Sequence, residues 1–593
     1  MSLIRNQRTG EGMSSSALLV ASLACIAIGA AAVDSKVGPA ELNNVGSRLI
    51  GGAPQQTEPL GPLEAPNDPP ADAAPRRISP PLPPPLLTRN GFVSVQVNVD
   101  ELGNNILDDA ANEPSIAVDP TNPNRIVIGW RQFDSVWSDF RQAGRAYSHD
   151  AGRAWTFPGV LDPGVFRSDP VLDADADGGF YYYSLTREGY LYTCQLFISA
   201  DGGVSWTEPL PAYGGDKAWI AIDRTGGVGH GNFYAAWDYA GCCDDDWFTR
   251  STDGGETFDY PVFIPGQPIW GQTTVDPEGA VYITGRRRTT NEEFVVVKSS
   301  TVQDPGAPLA FDFVVEIDLG GVHQYYLQYG PNPGGLHGNV CIAADHSSGP
   351  TRGYVYVLAS VDPPGPDPLD VMLIRSTDGG ATWSAPVRVN DDPVGTNAWQ
   401  WFGVLAVAPN GRLDVVWNDT RHDADPSNPT YSELHYAFST DAGEAWSENI
   451  AVSPAFNHFL GSPQQNKLGD YYDMVSDTVG ANVAYAATFN GEQDVYFLRI
   501  GDYDCNGNEI GDTQDIAEGT SDDINGNGIP DECECLGDLD GDWDIDLSDL
   551  AQLLANYGMT GGATYEDGDL DVDGDVDLTD LAALLAVYGT TCD

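Results

Sequence analysis

The octapeptide Ser376-Thr-Asp378-Gly-Gly380-Ala-Thr-Trp383 recurs, with small changes, four more times in the chain. The copies are Ser148-His-Asp150-Ala-Gly152-Arg-Ala-Trp155, Ser199-Ala-Asp201-Gly-Gly203-Val-Ser-Trp206, Ser251-Thr-Asp253-Gly-Gly255-Glu-Thr-Phe258 and Ser439-Thr-Asp441-Ala-Gly443-Glu-Ala-Trp446. Five copies of Ser-x-Asp-x-Gly-x-x-Trp/Phe cannot be chance. Each copy follows a second phrase: an apolar strand, a turn with Asp, Gly or Asn, then a strand ending in an aromatic. Residues 115–119 with 126–130, 219–223 with 233–237 and 403–408 with 413–417 are examples. The phrase begins seven times, near Glu113, Asp169, Asp216, Gln267, His337, Gln400 and Asp470. Repetition at roughly fifty to seventy residues signals a solenoid or a propeller.

The fourth unit has only a degraded octapeptide near Ser299, and the seventh ends at Ile500 without one. That last unit supplies three strands, at 472–476, 483–488 and 494–499. The alternating segment 92–99 is the expected fourth, and pairing it there closes the ring and removes exposed sheet edges. The expectation is therefore an all-β, seven-bladed propeller over residues 91–500, with six blades as the alternative.

Composition agrees. Gly 67 and Pro 42 among 593 residues, with 14 Trp and 26 Tyr, disfavour an all-helical chain, and 41% apolar residues exclude wholesale disorder. A formal charge of −59 excludes nucleic acid and anionic membrane surfaces as natural partners. Residues 1–32 read as a secretory signal, with Arg5 and Arg8, an apolar run over 17–33 and Ala30-Ala31-Ala32 at the end. The mature protein is thus expected to be secreted or held at the cell surface, with no membrane insertion after cleavage. Residues 33–90 form a Pro-rich tether. Removing the signal leaves eight cysteines, of which Cys505 is expected to pair with Cys533 and Cys535 with Cys592. Cys194, Cys242, Cys243 and Cys341 cannot be assigned.

The octapeptide resembles the Asp box of the sialidase superfamily. That resemblance implies a structural role for the Asp, whose side chain accepts backbone N–H bonds across the turn. Five equivalent copies on separate blades argue against catalysis by any one of them. The site is instead expected where first strands begin and second strands end, because hairpin geometry returns both to one face. There stand Glu113, Asp169, Asp216, Lys217, Trp219, Trp270, Trp399, Trp401, Asp470, Tyr471 and Tyr472, with Arg131, Arg187, Arg286 and Arg421 and, nearby, Asp238 and Asp419. Rings that stack on sugars beside carboxyls that bond hydroxyls or move protons suit glycan recognition. The sialidase resemblance implies an arginine clamp, for which Arg131, Arg286 and Arg421 are candidates. It also implies a Tyr nucleophile, Tyr471 or Tyr472, and an Asp acid, Asp134 or Asp169. The Arg-Ile-Pro motif usual in that family is missing, the nearest phrase being Asn124-Arg125-Ile126-Val127.

Residues 501–593 carry 26 acidic side chains and neither Lys nor Arg, a density that calls for cations. Asp538, Asp540, Asp542, Asp546 and Asp549 repeat 31 residues later as Asp569, Asp571, Asp573, Asp577 and Asp580, at loop positions 1, 3, 5, 9 and 12. Each loop precedes a short apolar stripe. Residues 535–593 thereby resemble a type I dockerin, which implies Ca²⁺ and a cohesin-like protein partner; Trp543 replaces the usual Gly in the first loop. Upstream, Asp504, Asn506, Asn508, Asp512 and Asp515, then Asp523, Asn525, Asn527, Asp531 and Glu534, give residues 501–534 a resemblance to thrombospondin type 3 repeats, again with Ca²⁺ implied. Three functions fit the sequence: a secreted sialidase-like glycoside hydrolase with an anchoring tail, a propeller that binds glycan or protein without turnover, and a structural cell-surface protein.

Overall fold

The computed structural model describes residues 68–69, 77–78 and 87–590, except 190, 291, 328, 464 and 541–543. The expected signal and most of the tether lie outside the described residues. Seven blades surround one axis. Their innermost strands are Ala110–Val118, Ser168–Ala174, Trp219–Ile222, Thr273–Val275, Cys341–Ala344, Gln400–Val407 and Asp473–Ser476. Each pairs antiparallel with the next strand in sequence, at Ile126–Phe133, Phe180–Glu188, Phe233–Ala236, Val281–Arg287, Val355–Val361, Leu413–Asp419 and Gly480–Ala487. The repeated phrase of the sequence is this pair.

The ring closes as the sequence requires. Phe92–Gln96 pairs with Asp494–Gly501, with Ser94 opposite Leu498 and Gln96 opposite Tyr496. Leu87–Arg89 adds a fifth, outer strand to the same blade. Blade 7 is thus built from both ends of the propeller segment, and this ties the first residues to the last.

The octapeptides show why they repeat. In blade 2, Ser199 Oγ donates to Asp201 Oδ1 (2.8 Å), the same oxygen accepts the N–H of Ser205 (2.9 Å), and Gly203 N–H donates to Ser199 Oγ (3.0 Å). Trp206 Nε1 then donates to the Gly203 carbonyl at 2.9 Å. The Ser–Asp and N–H–Asp bonds recur at Asp150, Asp378 and Asp441. Gly203 sits at φ +90°, and a Cβ there would come within 2.6 Å of Val127 in blade 1. Gly255, Gly380 and Gly443 meet Leu196, Tyr282 and Leu373 in the preceding blade in the same way. The Gly therefore serves both the left-handed turn and the contact between blades. Between blades the core is apolar: Ala117 and Val127 of blade 1 pack with Leu172 and Tyr182 of blade 2, and Tyr282 and Val296 of blade 4 with Ile342 and Val357 of blade 5.

The tail adds the helices Asp512–Glu518, Leu547–Asn556 and Leu578–Val587. The last two begin alike, with Asp546 and Asp577 as N-caps in reciprocal boxes with Asp549 and Asp580. Ile545, Leu553, Val576 and Leu584 bury against one another between them. The bridge Cys505–Cys533 is formed. Cys535 is also disulfide-bonded, and its expected partner Cys592 lies outside the described residues. Cys194, Cys242, Cys243 and Cys341 are free thiols. The tail rests on blade 1, where Arg153 pairs with Asp512 (3.1 Å) and lies 3.9 Å from the Tyr503 ring centre, and Asn124 Nδ2 donates to the Cys505 carbonyl (3.0 Å). Among the described residues no helix is long and apolar enough to cross a membrane.

Candidate functional site

At the axial end of the propeller the innermost strands depart from regular pairing. The register shifts between Asn112 and Ser115, between Ser168 and Val171, and between Trp401 and Val404. The residues inside or beside these shifts are left-handed although they are not glycine: Glu113 at φ 52°, Asp169 at 44°, Phe402 at 58°, with Lys217 at 50° and Trp270 at 59° at the entries to blades 3 and 4. Such conformations cost of order 1–3 kcal/mol each and gather at functional sites. A bulge re-aims a side chain, and Pro114 and Pro170, which have no N–H to orphan, follow the first two.

These side chains meet in one network. Lys217 Nζ lies 2.6 Å from Asp470 Oδ2, 3.4 Å from Asp169 Oδ2 and 3.8 Å from Glu113 Oε1. Lys467 Nζ lies 2.6 Å from the same Asp470 oxygen and 3.6 Å from Glu113 Oε1. Arg131 Nε reaches Glu113 Oε2 at 3.0 Å and donates to Asn112 Oδ1 at 2.8 Å. Asp216 and Asp169 share a carboxyl–carboxylate hydrogen bond, and Asp238 accepts one from Trp270 Nε1 at 3.1 Å. Glu113 and Asp470 are 0% exposed and Lys217 is 7%, while Asp216 is half-buried. The segment 320–339 reaches over this end: Leu336 N–H donates to Asp470 Oδ1 (2.7 Å), Asn332 Nδ2 to the Gly469 carbonyl (2.8 Å), and Tyr325 packs edge-on to Trp270.

Five carboxyls here face three cations, and their protonation divides accordingly. Burial pushes Glu113 up to about 7 in spite of Arg131, Lys217 and Lys467 around it. Burial likewise takes Asp238 to about 7 against the pull of the Ala240 N–H, and, with Asp169 beside it, raises Asp216 well above the usual range. Against the same burial, Lys217 holds Asp169 below the ordinary carboxylate range, and Lys217 with Lys467 holds Asp470 well below it. The site thus presents proton donors and carboxylates side by side at neutral pH, set apart by their neighbours.

The other residues expected at the site are distributed more widely. Tyr471 stands beside the network, its hydroxyl donating to the Pro170 carbonyl (2.8 Å) and its ring edge-on to Trp219. Burial, then the Glu113 charge, raises its phenol well above the ordinary value. Tyr472 is buried between blades 6 and 7, donating to the Ala486 carbonyl (2.6 Å) and accepting from Asn418 (3.1 Å). Trp401 is fully buried and donates to Ser432. Asp134 is exposed after the second strand of blade 1 and accepts from Gln142 at 2.9 Å. Of the three arginines, Arg131 joins the network. Arg286 lies over Trp270 with its guanidinium 4.4 Å from a ring centre. Arg421 is held by Asp419, Asp391 and Asn449, none of which belongs to the network. Lys467 and Asn112 join the site without being marked by any motif in the sequence. Lys467 lies in an irregular stretch before blade 7, and Asn112 is one residue before the repeated phrase.

In the tail, ligand atoms of Asp538, Asp540 and Asp549, of Asp544, Asp546 and Asp549, of Asp569, Asp571 and Asp580, and of Asp575, Asp577 and Asp580 lie within 4.8 Å of one another in each set. Asp569 and Asp580 are 0% exposed, Asp575 Oδ1 is buried without a hydrogen-bond partner, and residues 501–593 hold no Lys, Arg or His. Buried carboxylates with no cationic side chain fit a hard divalent cation. Asp544 and Asp575, at loop position 7, add donors beyond those at positions 1, 3, 5, 9 and 12, and Asp542 lies outside the described residues. Upstream, Asn506 and Asn508 converge on Asp515, and Asn525 and Asn527 on Glu534. Asp504 and Asp523 there accept backbone N–H bonds of their own loops. Asp512 is turned toward the Cys505 N–H and Arg153, and Asp531 accepts the Ile524 N–H.

No family model matches the chain. A xyloglucanase of a Paenibacillus species is 25% identical over 353 residues, covering 53% of this chain and 31% of that enzyme. The chain therefore spans less than a third of the length of the curated relative it matches. Among solved structures, a Dyadobacter fermentans protein of unknown function is 14% identical, with a TM-score of 0.40 over 69% of this chain and 97% of its own. The phage phi92 endosialidase is 11% identical, with a TM-score of 0.39 over 70% and 69%. The Trypanosoma rangeli sialidase, in complex with the inhibitor DANA, is 12% identical, with a TM-score of 0.34 over 70% and 58%. Likenesses of this size carry no residue-level argument.

Proposed function

We propose that the protein is a secreted glycoside hydrolase that acts on extracellular glycans at the axial carboxyl network, with a Ca²⁺-dependent anchoring tail. The observation that carries the reading is the geometry of that network, in which Lys217 lies 2.6 Å from Asp470 and 3.4 Å from Asp169 and favours their ionised forms, while burial raises Glu113 to about 7. Hydrolysis of a glycosidic bond by a carboxyl pair needs one group to protonate the leaving oxygen and a second, ionised, to act on the anomeric centre directly or through water. Glu113 and the half-buried Asp216 are the donors, and Asp169 is the carboxylate. The name of the Paenibacillus relative supports a polysaccharide substrate.

The same electrostatics favour a neutral sugar over a sialoside. Carboxyls outnumber cations, and Arg131 is already engaged by Glu113 and Asn112. The raised phenol of Tyr471 is a poor nucleophile, so the carboxylates take that role in this reading. In the tail, Asp538, Asp540, Asp544, Asp546 and Asp549 and their counterparts from Asp569 to Asp580 hold Ca²⁺, which neutralises the loops and fixes the two helices for a cohesin-like partner.

A second reading, a propeller that binds glycan without turnover, is favoured by the full burial of Glu113 and Asp470. One assay separates them: the purified full chain on a panel of neutral and sialylated glycans, with detection of reducing ends and of free sialic acid. Hydrolysis predicts new reducing ends from a neutral glycan, abolished in Asp169→Asn. Binding without release across the panel selects the second reading, and free sialic acid refutes the neutral-substrate assignment.

A further inference from the structure

Blade 6 carries a second cluster, away from the axial network. Glu433 and His435 alternate on its third strand, Tyr431–Ser439, and so point to one face; the register sets them opposite Asp419 and Trp417. His422, from the loop after the second strand, comes back over them. Its Nδ1 lies 2.5 Å from Glu433 Oε2, and the two imidazole centres are 5.5 Å apart. One ligand atom from each of the three residues lies within 4.8 Å of the others.

The neighbours prepare these groups for a ligand. Arg89, on the ring-closing outer strand, pairs with Glu433 Oε1 at 2.8 Å and leaves Oε2 facing the histidines. His435 is 1% exposed and lies over the Trp417 ring. Its Nδ1 has only a 3.5 Å approach to the Glu433 carbonyl, and its Nε2 has no hydrogen-bond partner among the described residues. His422 is largely exposed and Glu433 is already paired with Arg89, so the His422–Glu433 contact alone contributes little.

We propose that His422, Glu433 and His435 bind one borderline divalent transition-metal ion of the zinc class. Two imidazoles and one carboxylate form a three-ligand set whose fourth position is left for water. It opens on the side of His422, whose side chain is 55% exposed. The ion would join the loop after the second strand to the third strand and, through Arg89, to blade 7.

The test uses the full chain saturated with Ca²⁺, so that the acidic tail is occupied, and titrates it with Co²⁺. A tetrahedral nitrogen and oxygen site gives intense visible d–d absorption, whereas oxygen-rich six-coordinate loops do not. The expected result is one equivalent of the intense band, displaced by Zn²⁺ and weakened at least about tenfold in apparent affinity by His422→Ala. Because His422 is largely exposed, that variant keeps the melting temperature of the metal-free protein; His435→Gln serves as the second, buried test. A wild-type spectrum of the weak six-coordinate type, or equal Co²⁺ binding by both variants and wild type, overturns the proposal.

Discussion

The two ends of the blades use the same residue type in opposite ways. At the outer turns, Asp378 is exposed, bonded by the Thr382 hydroxyl and N–H and by Ser376, and repeated on four other blades. At the axis, Asp470 is fully buried and held by Lys217 and Lys467, and the corresponding entries of the other blades carry Glu113, Asp169, Asp216, Gln267, His337 and Gln400 in place of one repeated residue. The turn Asp closes a local loop with short-range bonds. The axial Asp is held in its charged form by Lys467, three residues before it, together with Lys217, which only the closed ring brings to it. In a repeat protein, recurrence marks what builds the blade, and departures from it mark where the blades differ in purpose.

The ring as a whole gives the largest effect. Deleting residues 1–101 removes the strand paired with Asp494–Gly501 and is expected to abolish the cooperative melting of the propeller, whereas deleting 1–67 leaves it intact. Calorimetry on the two truncations checks this, and equal melting refutes closure through blade 7.

Next comes the direct contrast of the two aspartates. Asp470→Ala leaves Lys217 and Lys467 buried with a partner missing and should cost about 3–5 kcal/mol in denaturant unfolding. Asp378→Ala loses turn bonds that water can replace and should cost about 1 kcal/mol. Similar losses would dissolve the distinction. Between them falls Gly203→Ala, expected to cost about 1–3 kcal/mol, since the left-handed turn is strained and the new Cβ meets Val127.

pH gives the smallest and most selective effect. Hydrogen bonds from Thr382 hold Asp378 at about 2, below its unfolded value, so its contribution is present above about pH 4 and fades only as pH falls through about 2. Glu113 runs the other way. Its folded value of about 7 lies above the unfolded value, so its contribution is complete below about pH 4 and is lost as pH rises through about 7. Urea midpoints measured from pH 5 to 8 should therefore fall less steeply in Glu113→Gln than in the wild type.

Much of the fold was legible because it rests on local chemistry. Ser-x-Asp-x-Gly-x-x-Trp carries every group its turn needs within eight residues, and the closing strand 92–96 announced itself by alternation. The axial site was legible only in outline. Glu113, Asp169, Asp216 and Asp470 could be placed at the entries of first strands, but nothing in the repeat told that Lys467 would reach Asp470. Tyr471 and Tyr472 are neighbours with the same side chain, and only the register separates the one beside Glu113 from the one packed against Asn418. His422 and Glu433 lie eleven residues apart, with no spacing motif to join them.

The most direct test of the central claim is the pH dependence of reducing-end release from the best neutral glycan of the panel, measured as kcat/KM for wild type and Glu113→Gln. If Glu113 is the proton donor, the wild type loses activity above a limb near pH 7, and the variant falls by at least about a hundredfold with that limb gone. A variant that retains wild-type activity and the same alkaline limb would contradict the assignment of the axial network as the catalytic site.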